Sequence, residues 1–132
     1  SWRSRDEARD YLLSKSMFKA WDQEMLELYI EHGMKITDDG TLELACSPRK
    51  EAALFMGARH YDPWPVLSGI SCPVLVAEGQ LSDNRHFIDL KAAASRFPDG
   101  AYRLVENTGH LIPMERPAET AAMIRDFFNP LR

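Results

Sequence analysis

The chain has 132 residues, of which 45% are hydrophobic and 27% charged, the make-up of one ordinary globular domain. Its formal net charge of −4 is spread along the sequence without an acidic or basic tail, which argues against nucleic acid or an anionic membrane surface as partner. No apolar run approaches the roughly 20 residues that span a bilayer, and the opening Ser1-Trp-Arg-Ser-Arg-Asp-Glu7 has no signal-peptide core, so no membrane partner is expected.

Ser4, followed three residues later by Glu7, is a capping box that starts a helix with Ala8, Tyr11, Leu12 and Phe18 on its apolar side. Trp21-Asp22 interrupts that pattern. Asp22 then caps a second helix through Met25, Leu26, Leu28 and Tyr29, which stops at Gly33. Asp38-Asp-Gly40, between Met34-Lys-Ile-Thr and Thr41-Leu-Glu-Leu-Ala, predicts a hairpin over 34–45 or a structured loop. Ser47-Pro48 supplies the N-cap and first residue of a third helix over 48–58.

His60-Tyr-Asp-Pro-Trp-Pro65 changes the character of the chain, and the boundary is set after residue 60. The pattern becomes strand (74–78), helix (about 85–97), strand (101–106) and helix (about 117–128). The continuous apolar run Val74-Leu-Val-Ala77 is expected of a strand buried on both faces of a parallel sheet. A strand–helix–strand unit of this kind implies a right-handed crossover. The fold class is therefore α/β, with a mainly helical region at 1–60 and an αβ part at 61–132.

The chemistry concentrates at two strand ends. Tyr102-Arg-Leu-Val-Glu-Asn-Thr-Gly-His110 runs from a short strand into Thr-Gly-His and is followed by the helix that Pro117 opens. That puts the His110 imidazole on a tight loop, where a general base is often held. Gly109 is expected to let the backbone turn sharply before it. Cys72-Pro-Val-Leu-Val-Ala-Glu-Gly-Gln-Leu-Ser-Asp83 is a second buried strand, ending in Gly-x-x-Ser-Asp. Open α/β sheets bind ligands at that end of their strands.

Together these segments resemble the last third of an α/β-hydrolase. The first half is similar to the caps of that superfamily in its Phe-x-x-Trp-Asp, Tyr-Ile-x-His-Gly and Cys-x-Pro-x-x-Glu-Ala segments. The resemblance implies a partial α/β-hydrolase fold: a helical cap, then a strand–helix–strand–helix parallel unit. It makes His110 the triad histidine and Asp83 the triad acid, and it implies no cofactor and no metal. Activity would fall on an ester, thioester or lactone-like carbonyl. No Gly-x-Ser-x-Gly elbow occurs in the chain, so the nucleophile is missing and the chain alone is expected to be inactive. The partner is then the missing N-terminal hydrolase half. The alternative is a non-catalytic truncated module that self-associates as a homo-oligomer or binds a partner, because two parallel strands are too few for a stable sheet. The chain does not open with Met, as in a processed chain or a fragment.

Each site residue has a plainer reading beside the catalytic one. Asp83 could be the N-cap of the helix near Arg85; Asp89 should lie one turn inside that helix, and Glu78 is a buried alternative acid. Ser71 precedes a strand rather than a helix, Ser47 is more simply a helix cap, and neither is an elbow serine. Cys46 and Cys72 have no metal-binding spacing and read as buried free thiols, which fits a reducing cytoplasm. His32, His60 and His86 form no ligand spacing; His86 follows the proposed acid and could line its pocket. Trp21, Phe55, Met56, Tyr61 and Trp64 read as core or cap packing.

Overall fold

A computed structural model describes residues 1–58 and 62–129; His60 and Tyr61, expected at the boundary, lie outside the described residues. The chain divides into two compact units, Ser1–Tyr61 and Asp62–Arg132.

The first unit is a small helical assembly closed by a hairpin. Helix α1 (Arg5–Leu13) starts where the Ser4 hydroxyl accepts from the Glu7 backbone N–H. Glu7 answers one residue further back than a capping box would, accepting from the Arg3 N–H at 2.8 Å. The predicted single helix reaching Phe18 is in fact two. The chain breaks at Ser14-Lys15, and α2 (Ser16–Lys19) carries Phe18. Helix α3 (Gln23–His32) is capped by Asp22, which accepts from the Glu24 and Met25 N–H groups. Strands β1 (Met34–Ile36) and β2 (Leu42–Leu44) pair antiparallel with Met34 opposite Leu44. Their turn is held by Asp39, which accepts from the Thr41 N–H and from the Thr37 and Thr41 hydroxyls. Gly40 supplies the turn's left-handed backbone, φ +80°.

Ala8, Leu12, Phe18, Leu26, Ile30 and Met34 form the core of this unit, at a helical spacing on α1 and α3. Each large aliphatic side chain so buried stabilises by roughly 1.5–3 kcal/mol. Trp21 packs on Phe18 and edge-on to Tyr29, with ring centres 4.7 and 5.4 Å away. A two-pronged pair from Arg9 to Glu27, both contacts 2.6 Å, ties α1 to α3. Helix α4 (Pro48–Ala58) follows. Phe55 and Met56, expected to pack, are 70% and 60% exposed, because the unit's core does not extend to that helix.

The second unit is a parallel pair with flanking helices. After a 3-10 turn at Trp64–Gly69, β3 (Val74–Gly79) runs parallel to β4 (Gly100–Val105), with Val74 opposite Gly100 and Gly79 opposite Val105. Between them the predicted helix over 85–97 is interrupted. Asp83–His86 is a 3-10 turn, and α5 (Leu90–Ala94) begins only where Asp89 accepts from the Ala92 N–H at 2.8 Å. Asp89 is thus the helix cap rather than a residue one turn inside. Short α6 (Ile112–Glu115) leads into α7 (Pro117–Phe128).

Side chains alternate between the faces of β3. Leu75 and Ala77 line a groove with residues of α6 and α7. Val74 to Ala77 are only half-buried, not closed in on both faces, because that groove stays open over Leu75 and Ala77; β3 pairs with β4 alone among the described residues, so its other edge is unpaired as well. Trp64 is also 38% exposed, against expectation. Cys46 and Cys72 are exposed free thiols, which corrects the buried reading. Apolar sequence neighbours failed as a guide there because both cysteines lie in irregular chain next to a strand, outside the packed faces.

Candidate active site

The C-terminal ends of β3 and β4 lie side by side, and the two connections leaving them are locked together. The ladder continues past the strands through the Gln80 N–H donating to the Val105 carbonyl and the Leu81 N–H donating to that of Thr108, both 2.9 Å. The Gln80 side-chain carbonyl accepts from the Asn107 N–H at 3.0 Å. Asn107 has a left-handed backbone, φ 51°, a conformation that Asn tolerates better than most residues. Thr108 is fully buried, and its hydroxyl donates to the Glu106 carbonyl.

These contacts leave little freedom to the loop that carries His110. Gly109 does not have a left-handed backbone. A Cβ there would fall 2.6 Å from Glu115 Oε1, because the Glu115 carboxylate accepts from the Gly109 N–H at 2.7 Å. Glu115, five residues beyond His110 on α6, thus pins the backbone immediately before the imidazole.

The exposed His110 ring meets the turn after β3. The Ser82 hydroxyl lies 3.3 Å from His110 Nδ1, and the Asn84 side-chain nitrogen lies 3.2 Å from Nδ1 and 3.3 Å from Nε2. Ser82 is buried and also caps the 3-10 turn, accepting from the Asn84 N–H. Asp83, between these two, is exposed and makes no hydrogen bond or ion pair with His110 among the described residues. The capping role considered for Asp83 belongs to Ser82 and, one helix later, to Asp89. Sequence reasoning quoted Ser82 within Gly-x-x-Ser-Asp but passed over it, and it missed Asn84 and Glu115. The only available signal for the first two was their position on either side of the acid.

Glu78 is buried, as a residue inside an apolar strand should be, but it serves the other face of the sheet. Its Oε2 accepts from the Tyr102 hydroxyl at 2.5 Å and lies 3.8 Å from Arg85 Nε. That hydrogen bond to a carboxylate, helped by burial, holds the Tyr102 phenol above its usual range. Arg85 also donates to the Gln80 carbonyl, so the buried carboxylate tethers the Ser82–Asn84 turn from below.

His32 ends α3 and His86 ends the 3-10 turn, and both are exposed. Among the described residues no three of His, Cys, Asp and Glu gather as they would around a metal ion. Beside His110 opens an apolar groove of about 430 Å³, lined by Leu75, Ala77, Ile112, Met123 and Phe127 among others. No helix of the described residues is long and apolar enough to cross a membrane.

No protein-family model and no curated protein matches the chain. Solved structures do. The chain superposes on an E-2-(acetamidomethylene)succinate hydrolase with a TM-score of 0.82 at 21% identity, covering 97% of this chain and 46% of that one. Against the peroxisomal alpha-beta-hydrolase Lpx1 of Saccharomyces cerevisiae the TM-score is 0.77 at 14% identity, over 98% and 36% of the two chains. Against the M. tuberculosis esterase Rv0045c it is 0.70 at 16%, over 97% and 42%. The chain spans less than half the length of each of these structures. The likeness is one of fold: the helical region and the parallel strand–helix–strand–helix unit superpose on part of each of these α/β-hydrolase structures.

Proposed function

We propose that the chain is the cap and C-terminal part of a serine-type α/β-hydrolase acting on an ester, thioester or lactone-like carbonyl, with His110 as general base and Asp83 as triad acid. The observation that carries this reading is the place of His110. It stands on a firmly held loop just past the end of β4, with its ring against the turn that leaves the adjacent parallel strand β3. The hydrolases and the esterase that share the fold support the reaction class.

In such an enzyme the imidazole takes the proton of a serine hydroxyl as that oxygen attacks the carbonyl carbon. The same proton then goes to the leaving group as the tetrahedral intermediate collapses. A carboxylate that accepts from the Nδ1–H fixes the ring and stabilises the imidazolium. Asp83 is the acid of the right turn, and it would pair with the ring once that turn presents its carboxylate where Ser82 and Asn84 now stand. The serine and the oxyanion hole would come from the rest of the fold, which is also the partner that the apolar groove and the free edge of β3 call for. No cofactor takes part in this scheme, and a reducing cytoplasm suits the two free thiols.

The test is the reading frame upstream of the Ser1 codon. The proposal expects it to run back into a strand, a Gly-x-Ser-x-Gly turn and a helix. A frame that starts at this chain would favour a second reading, a non-catalytic module that buries the β3 edge and the groove by self-association. That reading predicts a homomeric interface of at least about 1,000 Å² in sedimentation and crosslinking work.

A further inference from the structure

Glu78 is the one charged side chain of the apolar strand β3, and it is 6% exposed. Buried ion pairs can often be replaced by apolar residues without loss of stability, so stability alone is a poor reason for a carboxylate there. Its contacts point elsewhere. Oε2 accepts from the Tyr102 hydroxyl of β4, and the one cation within ion-pair distance among the described residues is Arg85, with Nε 3.8 Å away. Arg85 is not part of the sheet. It lies in the 3-10 turn Asp83–His86, directly after Asn84, and its Nη1 reaches back to donate to the Gln80 carbonyl at 3.4 Å. The guanidinium therefore closes the turn onto the strand end that it leaves. Packing does not do so: Leu81 and Phe87, the apolar side chains on either flank of the turn, are 64% and 82% exposed.

We infer that Glu78 and Arg85 are positioning residues: the buried carboxylate anchors the guanidinium, and the guanidinium fixes the turn that carries Ser82, Asp83 and Asn84 beside His110. The inference rests on the reading of His110 as the base and deepens it. Neither residue touches the imidazole or a reacting atom. Both act through the turn, whose Ser82 and Asn84 side chains meet the ring. Tyr102 completes the anchor by holding the carboxylate from β4. Gln80 joins the two sides, since its backbone carbonyl receives Arg85 and its side-chain carbonyl accepts from the Asn107 N–H of the His110 loop.

The test is amide hydrogen exchange on the full chain, comparing the turn with the strand end before it. The Arg85 and Phe87 N–H groups, bonded to the Ser82 and Asn84 carbonyls, report on the turn. Those of Gln80 and Leu81, bonded to Val105 and Thr108, are the internal reference. Glu78→Gln keeps an acceptor for Tyr102 and removes only the charge. A part-exposed ion pair is worth a factor of about five at most, so exchange at Arg85 and Phe87 should quicken about three- to five-fold while Gln80 and Leu81 hold. Arg85→Gln, at a side chain 36% exposed, keeps the fold where Glu78→Gln disturbs it and should have the same effect. The two together should do no more than either alone, because they remove one interaction. In the protein as its source produces it, Arg85→Gln should slow serine-directed phosphonate labelling by about the same factor. Unchanged turn exchange in both variants overturns the inference. So does quickening shared equally by Gln80 and Leu81, additive effects, or a loosened turn with labelling as fast as before. Absence of labelling in the unsubstituted protein is instead a failure of the hydrolase reading, and the exchange data then decide the anchor without it.

Discussion

Gly79 and Gly109 meet backbone against backbone at the ends of two neighbouring connections. A Cβ built on Gly79 would fall 1.9 Å from the Gly109 carbonyl oxygen and 2.5 Å from that of Thr108. The last residue of β3 is therefore a glycine because the loop before His110 passes directly over it. Gly79→Ala should cost on the order of 2–3 kcal/mol, since neither backbone can yield without breaking the bonds of Gln80 and Leu81 to the β4 side. A fall in the urea midpoint, with chemical-shift changes centred on His110, is the expected result; a variant as stable as the parent would show that the loop is free to move.

Glu115 controls the same loop from the other side. Glu115→Ala should strip protection from the Gly109 amide in hydrogen exchange and destabilise by about 1–3 kcal/mol, because a part-buried donor loses its acceptor. Glu115→Gln keeps a carbonyl in place and should cost less than about 1 kcal/mol. Equal losses in the two variants would mean that charge rather than the hydrogen bond holds the loop.

Acid should loosen the first unit through the Arg9–Glu27 pair. The hydrogen bonds from Arg9 hold the Glu27 carboxyl below its ordinary range. A carboxyl depressed in the folded state stabilises fully above its unfolded value, and that contribution is lost as pH falls through the lower folded value. Helical signal followed against urea should therefore weaken below the ordinary carboxylate range, and Glu27→Gln should flatten that limb. An unchanged slope in Glu27→Gln would place the acid sensitivity elsewhere.

The 132-residue chain by itself should hydrolyse activated esters no faster than a histidine-bearing control protein. A base without nucleophile or oxyanion hole retains almost none of a triad's rate. Turnover that is lost in His110→Ala would contradict this.

Much of the frame was legible in the sequence because its signals are local. Asp22, Ser4 and Pro117 mark helix starts by their own capping chemistry, and the run from Val74 to Gly79 is apolar enough to read as a strand. The interruptions at Ser14-Lys15 and at Phe87–Asp89 were not legible. They depend on where Phe18 and Ala94 find a core, which is a tertiary matter. His110 stood out because it follows a strand and a glycine. Its neighbours did not, since Ser82 and Asn84 meet the ring only when the ends of β3 and β4 are brought side by side, and Glu115 reaches the Gly109 N–H only when α6 folds back on the loop. Burial at Cys46, Cys72, Phe55 and Met56 was misjudged because apolar neighbours in sequence do not tell which face a core will cover.

The most direct measurement is active-site labelling of the protein as its source produces it. The protein is treated with a serine-directed phosphonate, and the modified peptide is identified by mass. The account predicts one labelled serine, in a Gly-x-Ser-x-Gly segment outside these 132 residues, and loss of that labelling when His110→Ala is introduced. A label on any serine of this chain, labelling undiminished by His110→Ala, or no labelled serine at all would contradict it.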